Sequence, residues 1–228
     1  MTVARFLRHL IRFGLGLILL WVGAVVWLGL LYWVVPPVST LMLGRWLTLQ
    51  SVERTYVPLD EISPHLPLAV MTSEDMRFCE HGGVDWAAIQ DVIEEADEDG
   101  PSRGASTIPM QVAKNLFLTP SRSYLRKGLE IPVALYLDLI WSKRQMMEVY
   151  LNIAEWGEGV FGAEAAAQKY FRKSAKNLTR REAALLTRAL PNPLKRNPGR
   201  PTARLNTLAG MLQARMAGAA PYAECLKP

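Results

Sequence analysis

Residues 70–86 read VMTSEDMRFCEHGGVDW: an apolar run that reaches the acidic pair Glu74-Asp75 and then breaks at Gly82 and Gly83. Leu66, Leu68 and Ala69 extend the run upstream, so the spacing predicts a short helix with Glu74 near its end. A carboxylate there is desolvated on one side, which is the setting of a general base, and the break beyond it opens room for a substrate. Phe78 stands four residues on and could wall the carboxylate if the helix continues, while His81 and Asp85 bracket the turn. A solvated helix end beside a structural histidine uses the same residue types, and the stretch alone does not separate the two readings.

Upstream, the chain is not globular. Arg5, Arg8 and Arg12 occur without any acid, and residues 13–35 then carry no charge, enough to cross a ~30 Å hydrocarbon core. A signal peptide has a shorter apolar region ending in small residues, whereas this one ends in Tyr32, Trp33 and the pair Pro36-Pro37. The expectation is a retained transmembrane helix over 13–35, with residues 1–12 in the cytoplasm by the positive-inside rule. Residues 36–50 read as a membrane-proximal linker whose apolar part, 41–49, could lie on the bilayer. Residues 51–220 then form one domain, and 221–228 a tail.

The 228 residues carry a net charge of +5, which beside a membrane fits an anionic headgroup or phosphate-bearing substrate. Nucleic acid is excluded by address. Cys79 and Cys225 lack metal spacing, and their pairing stays open. His9, His65 and His81 form no metal cluster.

Downstream, Asp85 reads as the N-cap of a helix with Trp86, Ile89 and Ile93 on one face and an acidic run, Glu94 to Glu98, on the other. After a turn-rich loop at 99–105, Ser106 is placed to cap a helix carrying Ile108, Val112 and Leu116, with Pro109 tolerated in its first turn. A helix from Ser123 turns Leu125, Leu129, Val133, Tyr136 and Ile140 inward, and Pro132 should bend or interrupt it. Ser142 to Gln145 and Thr179 to Glu182 read as capping boxes. Gly157, Gly159 and Gly162 mark a loop before an alanine-rich helix over 163–171. No stretch sustains a period of two, so the expected class is all-α.

Glu74, Asp75, Phe78, His81 and Gly83 resemble the first motif of the peptidoglycan glycosyltransferases. The resemblance continues in order over nearly all of the chain beyond the anchor. Residues 104–108 (GASTI), with Gln111, Lys114 and Asn115, resemble the second motif, departing from it at Met110, where a first glutamine is usual. Arg126, Lys127 and Glu130 resemble the third, with Arg122 one turn earlier. Glu148, Tyr150 and Asn152 resemble the fourth, where structural roles are favoured, and residues 181–190 cover the fifth.

The resemblance implies a lysozyme-like head and a smaller membrane-proximal jaw behind the anchor. It makes Glu74 the catalytic base and Glu130 the second acidic residue of the active site. Asp75, Phe78, His81, Ser106, Thr107, Gln111, Lys114, Asn115, Arg122, Arg126 and Lys127 become the substrate-binding residues. Glu130 would hold the cations or a divalent ion, Mg2+ or Mn2+, on a pyrophosphate. The implied reaction transfers the lipid-linked growing glycan chain to the 4-hydroxyl of lipid II, with inversion and release of undecaprenyl diphosphate, at the inner membrane beside other cell-wall synthesis or division proteins. The chemistry agrees: a sugar hydroxyl needs one base, and a departing pyrophosphate needs fixed cations but no acid. A transpeptidase is not expected, since neither Ser-x-x-Lys nor Lys-Thr-Gly occurs. The rival readings are a membrane-anchored lytic glycosidase with Glu74 as acid, which would not need the basic cluster, and a non-catalytic cell-wall scaffold.

Overall fold

The computed structural model describes residues 3–95, 104–119 and 123–227, with the side chains of Ala4 and Tyr124 excepted. It divides into two compact units, 1–36 and 37–228. Arg122, Asp97, Glu98 and most of the 99–105 loop lie outside the described residues.

The first unit is one helix, α1 (Val3–Leu31), whose most apolar 18-residue stretch within Arg5–Leu31 has a mean hydropathy of 2.3. It is long and apolar enough to cross a membrane. The helix starts well before residue 13 and ends at Leu31, and residues 32–35 turn or bend.

The second unit opens with a helix in the stretch expected as a linker, α2 (Thr40–Leu47). Ser39 caps it by accepting from the Met42 N–H at 3.2 Å, and Met42 is fully buried. The extended strand β1 (Glu53–Arg54) and a 3-10 turn at Leu59–Glu61 lead into α3 (His65–Glu74). Pro67 lies in the first turn of α3, where no N–H is required. The helix stops at Glu74 because Asp75 takes φ −162° and ψ 75°. Phe78 therefore does not continue a helical face. It is fully buried under the turn, with the Lys143 ammonium 4.9 Å from its ring centre.

Asp85 caps α4 (Trp86–Glu94) as expected, accepting from the Ala88 N–H at 3.0 Å. No residue of α4 is buried, so the Trp86/Ile93 face is not a core face. In α5 (Ile108–Phe117) the cap is Thr107 rather than Ser106: the Thr107 hydroxyl accepts from the Met110 N–H and donates to the Gly83 carbonyl at 2.7 Å. The hydroxyl of Thr40 donates to the carbonyls of Asn115 and Leu118 at the other end of this helix, which fixes α2 against α5.

Helix α6 (Tyr124–Ile140) runs uninterrupted through Pro132. Its buried residues are Glu130, Val133, Ala134 and Leu137, while Leu125 is exposed, so the inward face is rotated from the expected one. Ser142 caps α7 (Lys143–Ile153) through the Gln145 N–H. A short hairpin follows, β2 (Glu155–Gly157) antiparallel to β3 (Val160–Phe161), and β1 adds parallel to β3. Strands this short carry no alternation to read. Helix α8 (Ala163–Phe171) occupies the predicted span, α9 (Arg180–Ala189) begins with a complete Thr179/Glu182 capping box, and α10 (Ala203–Ala219) ends in a 3-10 segment, Ala220–Leu226.

The core has two parts. Leu66, Val70 and Met71 of α3 pack on α9 and α10, whereas Ile108, Val112 and Leu116 of α5 pack on α6 and α7. Each large side chain so buried contributes roughly 1.5–3 kcal/mol. Glu74 ends the helix of the first part and faces the helices of the second. Helical packing dominates, with the sheet as a small insert.

Candidate active site

The end of α3 brings Glu74 against α5. Its Oε1 accepts from the Ser73 hydroxyl at 2.9 Å, and its Oε2 faces the Gln111 amide nitrogen at 3.5 Å. The Gln111 carbonyl accepts in turn from the Tyr150 hydroxyl at 3.1 Å. Burial, then the charges of Glu74 and Asp75, push the Tyr150 phenol well above its ordinary range, so it remains a donor.

Asp75 turns the other way. Its Oδ2 accepts from the Ile108 N–H at 2.8 Å, and its Oδ1 pairs with His81 Nε2 at 2.9 Å. His81 Nδ1 is buried with no partner among the described residues, so the proton of this pair belongs on Nε2. Asp75, His81 and Thr107 thus join the turn after α3 to the start of α5, and the Lys143 ammonium secures it by donating to the His81 carbonyl and to Asp138, both at 2.6 Å.

The basic cluster lies on α5 and α6. Glu130, 2% exposed, accepts from Arg126 on one oxygen and from Lys127 at 2.8 Å on the other. Lys127 also donates to the Ser106 hydroxyl. Burial is the main force that pushes Lys127 down to about 8, and Arg126 and Lys114 add to it. Lys114 is lowered by burial and by Arg126, while Glu74 acts to raise it. These are cations held close together, the arrangement that a polyanion would relieve.

Two polar cavities meet at Glu74. One, of about 260 Å3, is bordered by Gln111, Lys114, Asn115 and Tyr150; the other, of about 240 Å3, by Ser73, Asp75, Ser106, Thr107 and Arg215. Phe78 and His81 border neither. A larger apolar cavity of about 360 Å3, between Leu59, Pro67 and Leu226, contains none of the candidate residues. Glu74 can therefore meet a group from each side, next to fixed positive charge.

A model of the transglycosylase family matches residues 42–217. The chain belongs to that family. Among its relatives is a biosynthetic peptidoglycan transglycosylase of Agrobacterium fabrum (strain C58 / ATCC 33970), 53% identical over 190 residues that make up 83% of this chain and 84% of the relative. Another of that name, from Rhodospirillum centenum (strain ATCC 51521 / SW), is 48% identical over 217 residues, 94% of this chain and 92% of the relative.

Of the expected site residues of this transglycosylase, Glu74, Gln111, Lys114 and Asn115 share one cavity, and Arg126, Lys127 and Glu130 share one ion-paired cluster. Glu148 and Asn152 bind main chain instead. Glu148 accepts from Tyr56 and the Leu59 N–H, and Asn152 pairs with both polar groups of the Val57 backbone. Tyr150, assigned a structural place with them, reaches the site through Gln111. Sequence reasoning also passed over Ser73, Lys143 and Arg188. Lys143 stands directly after the predicted Ser142 cap, but the His81 and Asp138 contacts that give it a role are visible only in the folded chain.

Proposed function

We propose that this transglycosylase polymerises the glycan strands of peptidoglycan from lipid II. The observation that carries the reading is the place of Glu74 between two cavities, with Lys114 on its border and the Arg126/Lys127/Glu130 cluster on the neighbouring helix. Glu74 takes the proton of the acceptor's 4-hydroxyl, and that oxygen attacks the anomeric carbon of the lipid-linked chain from the face opposite the leaving group. The C–O bond to undecaprenyl diphosphate breaks, the diphosphate keeps the electron pair, and the anomeric centre inverts. Lys114, Arg126 and Lys127 stabilise the charge that gathers on the diphosphate, so no general acid is required. A lytic glycosidase must protonate an alkoxide leaving group and has no use for such a cluster.

A divalent ion, Mg2+ or Mn2+, would be held here only with the help of the substrate. Both oxygens of Glu130 already accept from cations, and among the described residues no three His, Cys, Asp or Glu side chains gather. Glu130 and the diphosphate oxygens would hold it, and it would supply further charge neutralisation on the leaving group.

Helix α1 would anchor the protein in the inner membrane with its N-terminus in the cytoplasm and the catalytic unit outside, the address at which lipid II and other cell-wall synthesis proteins are met. The exposed Leu43, Trp46, Leu47 and Leu49 of α2 and its exit suit contact with lipid. The test is polymerisation of purified lipid II by the protein and by Glu74→Gln. The amide keeps the shape but accepts no proton, so a loss of at least roughly 10²–10⁴-fold is expected with an unchanged melting curve. Near-normal polymerisation by that variant removes Glu74 as base.

A further inference from the structure

Glu74 does not end α3 alone. Ser73, the residue before it, lies 2.9 Å from Glu74 Oε1 through its hydroxyl oxygen, and the same oxygen lies 3.2 Å from Nη1 of Arg188 in the last turn of α9. The direction of this chain is fixed by chemistry. A guanidinium only donates and an ionised carboxylate only accepts, so the serine oxygen accepts from Arg188 and its single proton goes to Glu74. We infer that Arg188 and Ser73 form a relay that positions Glu74, tying down Oε1 so that Oε2 is the oxygen presented to the acceptor hydroxyl. The inference rests on the assignment of Glu74 as the base.

Two further observations support it. Arg188 makes no ion pair among the described residues, its Nε is buried without a partner, and Glu74 is the one group that acts to raise it against burial, Arg196 and Arg215. Its charge therefore answers Glu74, with the serine hydroxyl between them. The second observation is the contrast with its neighbours. Arg196 donates to the Arg188 carbonyl at 2.7 Å and Arg215 to the Thr72 carbonyl at 2.8 Å, so both close helix ends, whereas Arg188 bonds a side chain. On the opposite side Oε2 has, among the described residues, only the 3.5 Å approach of the Gln111 amide, which leaves room for a closer partner.

The charged and titratable groups around Glu74 are Asp75 beside it, Lys114 from α5, Tyr150 from α7, Arg188 from α9, and Arg215 from α10 at the adjoining carbonyl; Glu155 of β2 borders the same cavity. Ser73 is the donor to Oε1 and Arg188 the donor to Ser73, so removal of either cuts the chain that ends on that oxygen. Losing a hydrogen bond to a charged group is worth about 10–100-fold.

The test compares the full chain, Ser73→Ala, Ser73→Thr, Arg188→Gln, the double variant Ser73→Ala/Arg188→Gln, and Glu74→Gln on lipid II across pH. Ser73→Ala is expected to lower kcat about tenfold or more, change KM less than about twofold, and move the acid limb of kcat/KM to higher pH, because the ionised carboxylate has lost a donor. Ser73→Thr, which keeps the hydroxyl, should restore most of kcat. The double variant should be no worse than the poorer single one, since both changes cut one chain. An unchanged kcat and acid limb in Ser73→Ala overturns the relay, as does an equal loss in Ser73→Thr or a double variant whose losses multiply. If Glu74→Gln is inactive while Ser73→Ala behaves as the parent, the relay alone fails; an active Glu74→Gln removes the base on which it rests.

Discussion

Lys127 sits where substrate charge and protein charge are balanced most finely. Burial, Arg126 and Lys114 bring it down to about 8, so it is protonated below that pH and loses its charge as pH rises through it. In the proposed reading the diphosphate binds the protonated form, and kcat/KM should accordingly fall as pH passes about 8. Lys127→Arg keeps the charge over this range and should flatten that limb while retaining activity; a limb of the same position in the arginine variant would assign it to another group. Asp75 offers a second residue-level test. It accepts from a backbone N–H and from His81 at 7% exposure, and an amide in its place cannot accept from both. Asp75→Asn should cost about 1–3 kcal/mol, read as a lower melting temperature. The place of Glu74 at a helix end was legible because an apolar run leads up to it and two glycines follow, whereas its role, and the grouping of Arg126, Lys127 and Glu130, came with the family resemblance. Ser73 and Arg188 are separated by 115 positions, and no local pattern joins them.

At the scale of elements, the helices with strong apolar runs and caps fell where sequence placed them, and the differences have local causes. Ser106 and Thr107 are adjacent hydroxyls with equal claims to cap α5, and the Gly83 carbonyl decides for threonine. Helix α6 buries a glutamate held by two cations, which a search for apolar periodicity steps around. Helix α2 is short and mostly exposed, so its sequence resembles that of a linker until Asn115 and Leu118 supply partners for Thr40. The junction of α3, α5 and α6 turns on one glycine. Gly83 has φ +85°, and a Cβ there would lie 2.8 Å from the Ala134 carbonyl oxygen, which is helix backbone and cannot move aside. Gly83→Ala should destabilise by about 1–3 kcal/mol, or roughly 2–12 °C in Tm, and weaken catalysis by shifting the Asp75–His81 turn. Gly82→Ala is the control, since its Cβ would meet only Asp138 Oδ2 at 3.9 Å. Equal melting temperatures for the two variants would show that the turn relaxes without cost.

For the molecule as a whole, the division at residue 36 predicts that a chain without residues 2–35 folds, since the core and all the candidate residues belong to the second unit. In detergent it should bind lipid II and polymerise more slowly for want of a shared membrane; an unfolded product would make α1 part of the fold. Within that unit the longest covalent link is the bond between Cys79 and Cys225, whose Cα atoms lie 5.6 Å apart across 146 positions. Two cysteines so far apart gave the sequence no means of showing that they pair. Cys79 lies in the turn that carries Phe78 and His81, and Cys225 in the 3-10 segment after α10, so the bond ties the C-terminal segment to the turn that follows Glu74. Such a bond belongs to an oxidising compartment, which agrees with a catalytic unit outside the cytoplasm. Closing so long a loop restricts the unfolded chain strongly, and the loss on removing it is about 2–5 kcal/mol. Cys225→Ser should therefore melt about 4–20 °C lower than the parent under non-reducing conditions. Reductant should lower the parent towards the variant and leave the variant where it is. A parent whose melting temperature ignores reductant, with both thiols then free to alkylation, would show that the turn is held by Asp75, Lys143 and the buried Phe78 alone.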